Sequence, residues 1–221
     1  MTKLKKNLLA AGVLLAALAV AFGSFLLFAP QDATTALDTE PAVDARAVRD
    51  TSHRLTSPKK SELTIAEFLD FECEGCGAVY PTVERLRAEY GDRVTFVARY
   101  FPMPGHRNST TAALAVEAAA QQGAFEAMYA KMFATQKEWG ESKESKAALF
   151  RAYADGLGLD MAAYDTAVRA PATLRRIEAD QRDGLGLGVQ GTPTFFVDGI
   201  RIAPPSSYEE FKALIESRLA R

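Results

Sequence analysis

The first pattern along the chain is an uncharged, strongly apolar run from residue 8 to residue 29. Three lysines precede this run and several acidic residues follow it. The run has about the length of a membrane-spanning helix, and flanking basic residues favour the cytoplasmic side. We therefore expect residues 1–29 to form a single-pass signal-anchor, with a cytoplasmic N-terminus and the rest of the chain outside. A cleaved signal peptide is the alternative, with Ala21-Phe22-Gly23 as the candidate site.

Turn signals and apolar runs then predict a linker followed by alternating strands and helices. Residues 30–46 are rich in Ala, Thr, Asp and Pro, a composition typical of a flexible tether. Apolar runs predict an edge strand at 48–55, a central buried strand at 63–71 and another strand at 94–100. A helical repeat of apolar residues lies between the last two strands and ends at Gly91. This order predicts a parallel pair of strands with a right-handed crossover.

The second half of the chain changes to helical periodicity before it returns to strands. Residues 108–183 are predicted to be entirely helical, with several amphipathic faces. A short strand at 194–197 follows, and Asp198-Gly199 predicts a hairpin turn into a return strand at 200–202. A last amphipathic helix closes the sequence. The predicted architecture is an α/β sandwich with a helical insertion.

Charge and cysteine content limit the possible functions. The chain has 221 residues with 26 basic and 28 acidic side chains, a formal net charge of −2. This balance gives no basic surface for nucleic acid, so we expect no nucleic-acid partner. The two cysteines, Cys73 and Cys76, lie so close together in sequence that a disulfide between them cannot cross-link distant parts of a fold of this size. The core must hold without them, which leaves both thiols available for chemistry.

The segment Cys73-Glu74-Gly75-Cys76 falls at the end of a predicted buried strand and the start of a helix. Unpaired N–H groups and partial positive charge at a helix N-terminus favour a thiolate, which predicts a lowered pKa for Cys73. The spacing lets Cys76 face Cys73 and resolve a mixed disulfide formed there. Glu72 and Glu74 are expected to be exposed, with negative charge that opposes the thiolate.

Two plainer explanations of the cysteine pair are weaker. A zinc site needs two further ligands, and the only histidines, His53 and His106, are far apart in sequence. A purely structural disulfide across so small a loop would stabilise the fold little. We expect His106 in the loop before the helical block, away from the active face.

A second motif lies just before the strand at 194–197. The residues of interest are Glu67-Phe68-Leu69-Asp70-Phe71-Glu72-Cys73-Glu74-Gly75-Cys76, Pro81 and Gly191-Thr192-Pro193-Thr194. With these motifs the chain resembles the thioredoxin superfamily, specifically its DsbA-like, membrane-anchored bacterial branch, over about residues 48–220. The long stretch between Tyr100 and Pro193 resembles the helical domain that DsbA-like proteins insert.

The resemblance implies a thioredoxin-like sandwich over residues 47–221, with a helical insertion at about 107–185. It implies that Cys73 is the exposed nucleophile and Cys76 the buried resolving thiol. Pro193 matches the family's cis-proline, which with Thr192 is implied to hold the substrate main chain, and Thr192 can tune the site through its backbone and hydroxyl.

Glu67 matches the buried acid that the family places behind its cysteine pair. A carboxylic acid buried there has a raised pKa and can relay a proton to or from Cys76. The candidate catalytic residues are therefore Cys73, Cys76 and Glu67. Pro81 matches the kinking proline of the active-site helix, which has a structural role.

The resemblance implies an extracytoplasmic thiol–disulfide oxidoreductase that donates the Cys73–Cys76 disulfide to exported proteins. A quinone-linked membrane partner of the DsbB or VKOR type would reoxidise it, and no metal or organic cofactor is implied. Strong oxidants of the family carry a histidine between the cysteines, whereas Glu74 and Gly75 stand here and predict a less acidic Cys73. The alternatives are a thiol reductase, for example in cytochrome c maturation, and a membrane-tethered binding module or chaperone with an incidental disulfide.

Overall fold

A computed structural model describes residues 45–221, and its centre is a five-stranded sheet. The strands are β1 (His53–Arg54), β2 (Leu63–Leu69), β3 (Val94–Tyr100), β4 (Thr194–Val197) and β5 (Ile200–Arg201). Their order across the sheet is β1-β3-β2-β4-β5. The central pair β2 and β3 is parallel, and the other three pairings are antiparallel. Because β2 is the middle strand, its carboxyl end lies at the centre of the row of strand ends on one side of the sheet.

Eight helices surround or extend this sheet within the described residues, after a single 3₁₀ turn at Ala45–Ala47. They are α1 (Glu74–Tyr90), α2 (Ser109–Ala120), α3 (Phe125–Ala134), α4 (Gln136–Trp139), α5 (Ala147–Gly156), α6 (Met161–Ala167), α7 (Pro171–Gly186) and α8 (Tyr208–Leu219). Helix α1 forms the crossover between the parallel strands, and α2 to α7 separate β3 from β4. The resulting order is that of a sandwich with a helical insertion.

The central strand β2 is buried on both faces because helices cover the sheet on each side. Ile65 and Leu69 belong to the larger apolar cluster, which also contains side chains of α1 and α8. Ala66 and Phe68 point to the opposite face and belong to a smaller cluster that includes Phe101. A strand buried on both faces has a nearly continuous apolar sequence, which is the pattern of residues 63–69.

Aromatic packing joins the helical insertion to the end of β2 near the cysteines. The ring of Phe71 lies 5.1 Å from that of Phe133 and 6.0 Å from that of Tyr129, measured between centroids. Tyr80, on α1, stacks on Phe133 at 4.9 Å. Such pairs add to the free energy gained from burying their area. The insertion is thus packed directly against the segment that carries the cysteines.

A buried ion-pair network joins the insertion to the other side of the sheet. Arg99, on β3, has a fully buried side chain. Its guanidinium lies 2.9 Å from Asp180 Oδ1 and donates to Asp183 Oδ2 at 2.7 Å, and both aspartates are on α7. It also donates to the backbone oxygens of Arg46 and Ala47 at 2.8 Å. One cation therefore connects β3, α7 and the start of the described chain.

The predicted elements agree with the structure except at some ends and within the block 108–183, which is not entirely helical: non-helical segments separate α2 to α7, the longest of them at residues 140–146. Strand β3 has the predicted bounds, whereas the predicted edge strand at 48–55 is reduced to β1. The central strand ends at Leu69, two residues early. The reason is that Asp70 turns the chain: its side chain accepts from Glu72 N, and its carbonyl accepts from Cys73 N. The return strand likewise ends at Arg201.

The predicted signal-anchor at 1–29 and nearly all of the linker at 30–46 lie outside the described residues. Among residues 45–221, no helix combines the length and the apolar character that crossing a bilayer requires.

Candidate active site

The two cysteines lie where the carboxyl end of β2 meets the first turn of α1. Cys73 is the N-cap of α1 in an extended conformation, and its side chain is partly exposed. Cys76, one turn on, is completely buried. Both are free thiols in this structure. The predicted placement, with the first thiol accessible and the second inside, matches the geometry.

The surroundings of Cys73 favour its thiolate. A hydrogen bond from the Cys76 thiol is the largest cause, and together with Thr192 and the backbone N–H groups of Gly75 and Cys76 it lowers the pKa of Cys73 to about 5. Partial burial opposes this shift but does not outweigh it. The N–H groups are the unpaired donors of the helix start, so the position at α1 contributes as the sequence predicted.

Cys76 has the opposite environment. Burial is the main reason that its pKa lies well above the ordinary value, and the neighbouring Cys73 and Glu67 raise it further. At neutral pH the pair therefore consists of a thiolate at Cys73 and a neutral thiol at Cys76. Two chemically identical side chains acquire different roles from position alone.

Glu67 lies on β2 with only 6% of its side chain exposed. Burial raises its pKa to about 8, and the charges of Cys73 and Glu84 add to the shift. The carboxyl group is therefore mostly protonated at neutral pH, close enough to the cysteines to interact with both electrostatically. The predicted burial and raised pKa are found.

Thr192 and Pro193 face the cysteines from the loop before β4, and the peptide bond between them is cis. Cys73 Sγ lies 3.2 Å from the Thr192 carbonyl oxygen, to which it donates when the thiol is protonated. A β-carbon placed on Gly75 would lie 3.2 Å from Pro193 Cδ, so the two loops approach closely. The Thr192 hydroxyl has no partner at hydrogen-bond geometry among the described residues, yet it is close enough to Cys73 to help lower the pKa of that thiol.

A surface cavity of about 240 Å³ opens beside this contact. Its lining is formed by both motifs and by the segment before α8, and includes Gly75, Val79, Pro193, Pro204 and Pro205. The cavity is adjacent to the accessible cysteine, and three prolines and a phenylalanine are among the residues that line it. It offers space for a peptide side chain next to Cys73.

One expectation about the glutamates beside the cysteines is wrong. Glu72 was expected to be exposed but is buried, with 2% exposure, because the loop before α2 covers it. Its Oε2 accepts a hydrogen bond from Asn108 N. Its Oε1 has no hydrogen-bond partner within residues 45–221. Glu74 is exposed as expected. Neither glutamate is among the main causes of the pKa of Cys73.

His106 lies in the predicted loop but within electrostatic reach of the active site. Its Nδ1 is 2.6 Å from Asp70 Oδ2. Burial alone would lower the pKa of His106, but the hydrogen bond to Asp70 and the charges of Asp70, Cys73 and Glu72 outweigh it and raise the pKa. His106 therefore lies in the predicted loop, bonded to Asp70 and within electrostatic reach of Cys73.

Sequence reasoning missed two residues that hold the cysteine loop. Asp70 is buried, and besides turning the chain it accepts from Met103 N at 3.0 Å. Gln136, on α4, donates to backbone oxygens next to Cys73. A charged residue within an apolar run could have indicated Asp70, whereas a glutamine inside the helical block carries no local signal. In the part of the chain that the structure describes, no three His, Cys, Asp or Glu side chains cluster as a metal site.

Comparisons with known proteins agree with this geometry. The sequence model of a family described as Thioredoxin matches residues 52–217. A thioredoxin-like oxidoreductase from Silicibacter pomeroyi superposes with a TM-score of 0.68 at 23% identity, covering 82% of this chain and 99% of that one. Wolbachia pipientis alpha-DsbA1 superposes with a TM-score of 0.67 at 17% identity, covering 78% of this chain and 93% of that one.

A curated relative, the protein called Na(+)/H(+) antiporter NhaA of Herminiimonas arsenicoxydans, is 31% identical over 182 residues. The alignment covers 80% of this chain and 27% of the relative, so this chain spans less than a third of that protein's length. The antiporter name belongs to the whole longer protein. The match over residues 52–217, together with the cysteine pair at the start of α1 and the shared fold of the DsbA-like structures, shows that this chain belongs to the thioredoxin family.

Proposed function

We propose that this chain is a thiol–disulfide oxidoreductase that works outside the cytoplasm and donates its Cys73–Cys76 disulfide to exported proteins. One observation carries the proposal: the site separates the pKa values of two adjacent thiols, lowering that of Cys73 to about 5 and raising that of Cys76. Stabilising the Cys73 thiolate stabilises the reduced pair, which makes the disulfide a stronger oxidant. The environment of Cys73 supports oxidation despite the Glu74-Gly75 dipeptide.

The transfer begins with attack by a substrate thiolate on Cys73 Sγ of the disulfide. The new bond is a mixed disulfide, and the Cys73–Cys76 bond breaks with its electron pair on Cys76 Sγ. Because the pKa of Cys76 is high, this sulfur takes up a proton. Glu67, protonated at neutral pH through its pKa of about 8, is the proposed source.

The second step releases the product. A second substrate thiolate attacks the substrate sulfur of the mixed disulfide, and Cys73 leaves as a thiolate. Its low pKa makes it a good leaving group. Two substrate thiols have then been oxidised to one disulfide, and the protein's disulfide has been reduced to two thiols. Pro193, Thr192 and the cavity beside Gly75 and Val79 are the proposed peptide-binding surface.

Location and partners are proposed from the sequence. The apolar run at 8–29, with lysines before it, supports an anchor that holds the catalytic part on the outer side of the cell membrane. Continued turnover needs an oxidant for the reduced pair, and a quinone-linked membrane partner of the DsbB or VKOR type would supply it. The substrates are exported proteins with unpaired cysteines.

A thiol-trapping assay tests this function. The oxidised chain is mixed with a reduced, unfolded protein, and the thiols of both are counted over time. We expect stoichiometric transfer by the native chain, no transfer by Cys73→Ser, and a trapped mixed disulfide when Cys76→Ser meets a disulfide-containing protein. Transfer by Cys73→Ser would overturn the proposal, and no exchange by the native chain would favour a binding module with an incidental disulfide.

A further inference from the structure

One side chain of the helical insertion, that of Gln136, contacts the backbone that carries the nucleophile Cys73. Gln136 is the first residue of α4 and is 8% exposed. Its amide nitrogen donates to the backbone oxygens of Phe71 and Cys73, both at 2.8 Å. These two oxygens lie on either side of the turn that carries the nucleophile. One amide group therefore fixes the backbone before and at Cys73.

A glycine makes room for this amide. A β-carbon on Gly77 would lie 1.9 Å from Gln136 Oε1 and 2.8 Å from its Cδ, far inside van der Waals contact. Gly77 stands inside α1, where glycine costs about 1 kcal/mol relative to alanine. No positive φ requires a glycine at this position. The space it leaves is occupied by Gln136, so the two positions fit as a pair.

Both positions act on the same carbonyl. The Cys73 oxygen accepts from Gly77 N at 3.1 Å and from the Gln136 amide. A carbonyl oxygen carries partial negative charge next to the thiolate of its own residue. Donors that bind this oxygen reduce its repulsion of the thiolate, and they hold the loop in one conformation.

We propose that Gln136 is a positioning residue for Cys73: through the Phe71 and Cys73 carbonyl oxygens the helical insertion sets the geometry and acidity of the nucleophile, with Gly77 providing the space. The inference rests on the proposed thiol–disulfide exchange. It gives the insertion a part in the redox chemistry besides its packing.

The test uses Gln136→Met, which keeps the side-chain volume and removes the donor. Gln122→Met is the matched control, because the Gln122 amide also binds backbone groups, those of Asp160, but within the insertion. Two quantities are measured for each full-length variant. The first is the equilibrium constant for reduction of the Cys73–Cys76 disulfide by glutathione, and the second is the thiolate absorbance as a function of pH. We expect Gln136→Met to lower the equilibrium constant roughly three- to tenfold and to move the thiolate midpoint to higher pH. Gln122→Met should leave both values unchanged.

Further variants at the same two positions keep the test decisive. Gln136→Asn, one methylene too short to reach both carbonyls, should give the same direction of change if Gln136→Met does not fold. Gly77→Ala should displace the Gln136 amide. In a chain that already carries Gln136→Ala, adding Gly77→Ala should cause little further change, because the side chain that the new β-carbon would meet is gone. If the native chain exchanges disulfides but Gln136→Met and Gln136→Asn keep its equilibrium constant and titration, the inference is overturned. Additive effects of Gly77→Ala and Gln136→Ala would overturn the pairing, and a native chain without exchange would instead refute the proposed function.

Discussion

Replacing the buried carboxyl group of Glu67 by an amide should stabilise the folded protein at neutral pH. Folding raises the pKa of Glu67 from 4.5 to about 8. At pH 7 the folded chain thus holds a proton that the unfolded chain has released, so stability falls as pH rises between these two values. About 2.5 pH units at about 1.4 kcal/mol each give a cost of about 3–4 kcal/mol, which Glu67→Gln removes.

The assay is urea unfolding of the native chain and Glu67→Gln at pH 7 and pH 4, in both redox states. The gain should be about 3–4 kcal/mol at pH 7 in the reduced protein and should nearly vanish at pH 4, where Glu67 is mostly protonated in both the folded and the unfolded chain. It should be smaller in the oxidised protein, because the Cys73 thiolate is one cause of the raised pKa. Glu74→Gln, which replaces an exposed carboxyl group, is the matched control. An equal effect of Glu67→Gln at both pH values would refute the reasoning.

Three other predictions follow from single side chains. Thiolate absorbance of the reduced protein should titrate with a midpoint near pH 5, and Cys73→Ser should remove this transition; a midpoint above pH 8 would contradict the assignment. Arg99→Met should lower the free energy of unfolding by about 3 kcal/mol, because it removes the fully buried cation that Asp180 and Asp183 share and leaves Arg176 and Arg49 as their partners. The exposed ion pair of Arg151 can be removed at little cost, and equal urea midpoints of the two variants would contradict this. Gly184→Ala should lower the free energy of unfolding by roughly 1–3 kcal/mol, because the new β-carbon would lie 2.7 Å from a phenylalanine ring. Gly156→Ala is the control, since its β-carbon would meet nothing within 4 Å among the described residues. Equal melting temperatures of the two variants would contradict this.

Features of the fold that depend on local sequence were predictable. Strand β3, buried along its whole length, matched its apolar run to the residue. The cysteines were placed at the start of α1 because the preceding strand and the following helical repeat are both strong signals. The burial of Glu67 was predicted only through the family resemblance, since one acid in an apolar run could equally face solvent.

Features that depend on distant segments were not predictable. Glu72 was expected to be exposed, but the loop at Asn108, 36 residues further along the chain, covers it. His106 gained its position through Asp70, which lies far from it in sequence. Gln136 has no local signature, although the glycine at position 77 inside a helix was a sign that something occupies the space beside it.

The reduction potential of the Cys73–Cys76 pair, equilibrated against glutathione and read by thiol trapping, tests the central claim most directly. A thiolate stabilised at Cys73 favours the reduced state, so we predict a value above about −180 mV, on the oxidising side of the family's range of roughly −270 to −120 mV. A value near or below about −250 mV would contradict disulfide donation and favour a reductase. A pair that forms no reversible disulfide would contradict thiol–disulfide exchange altogether.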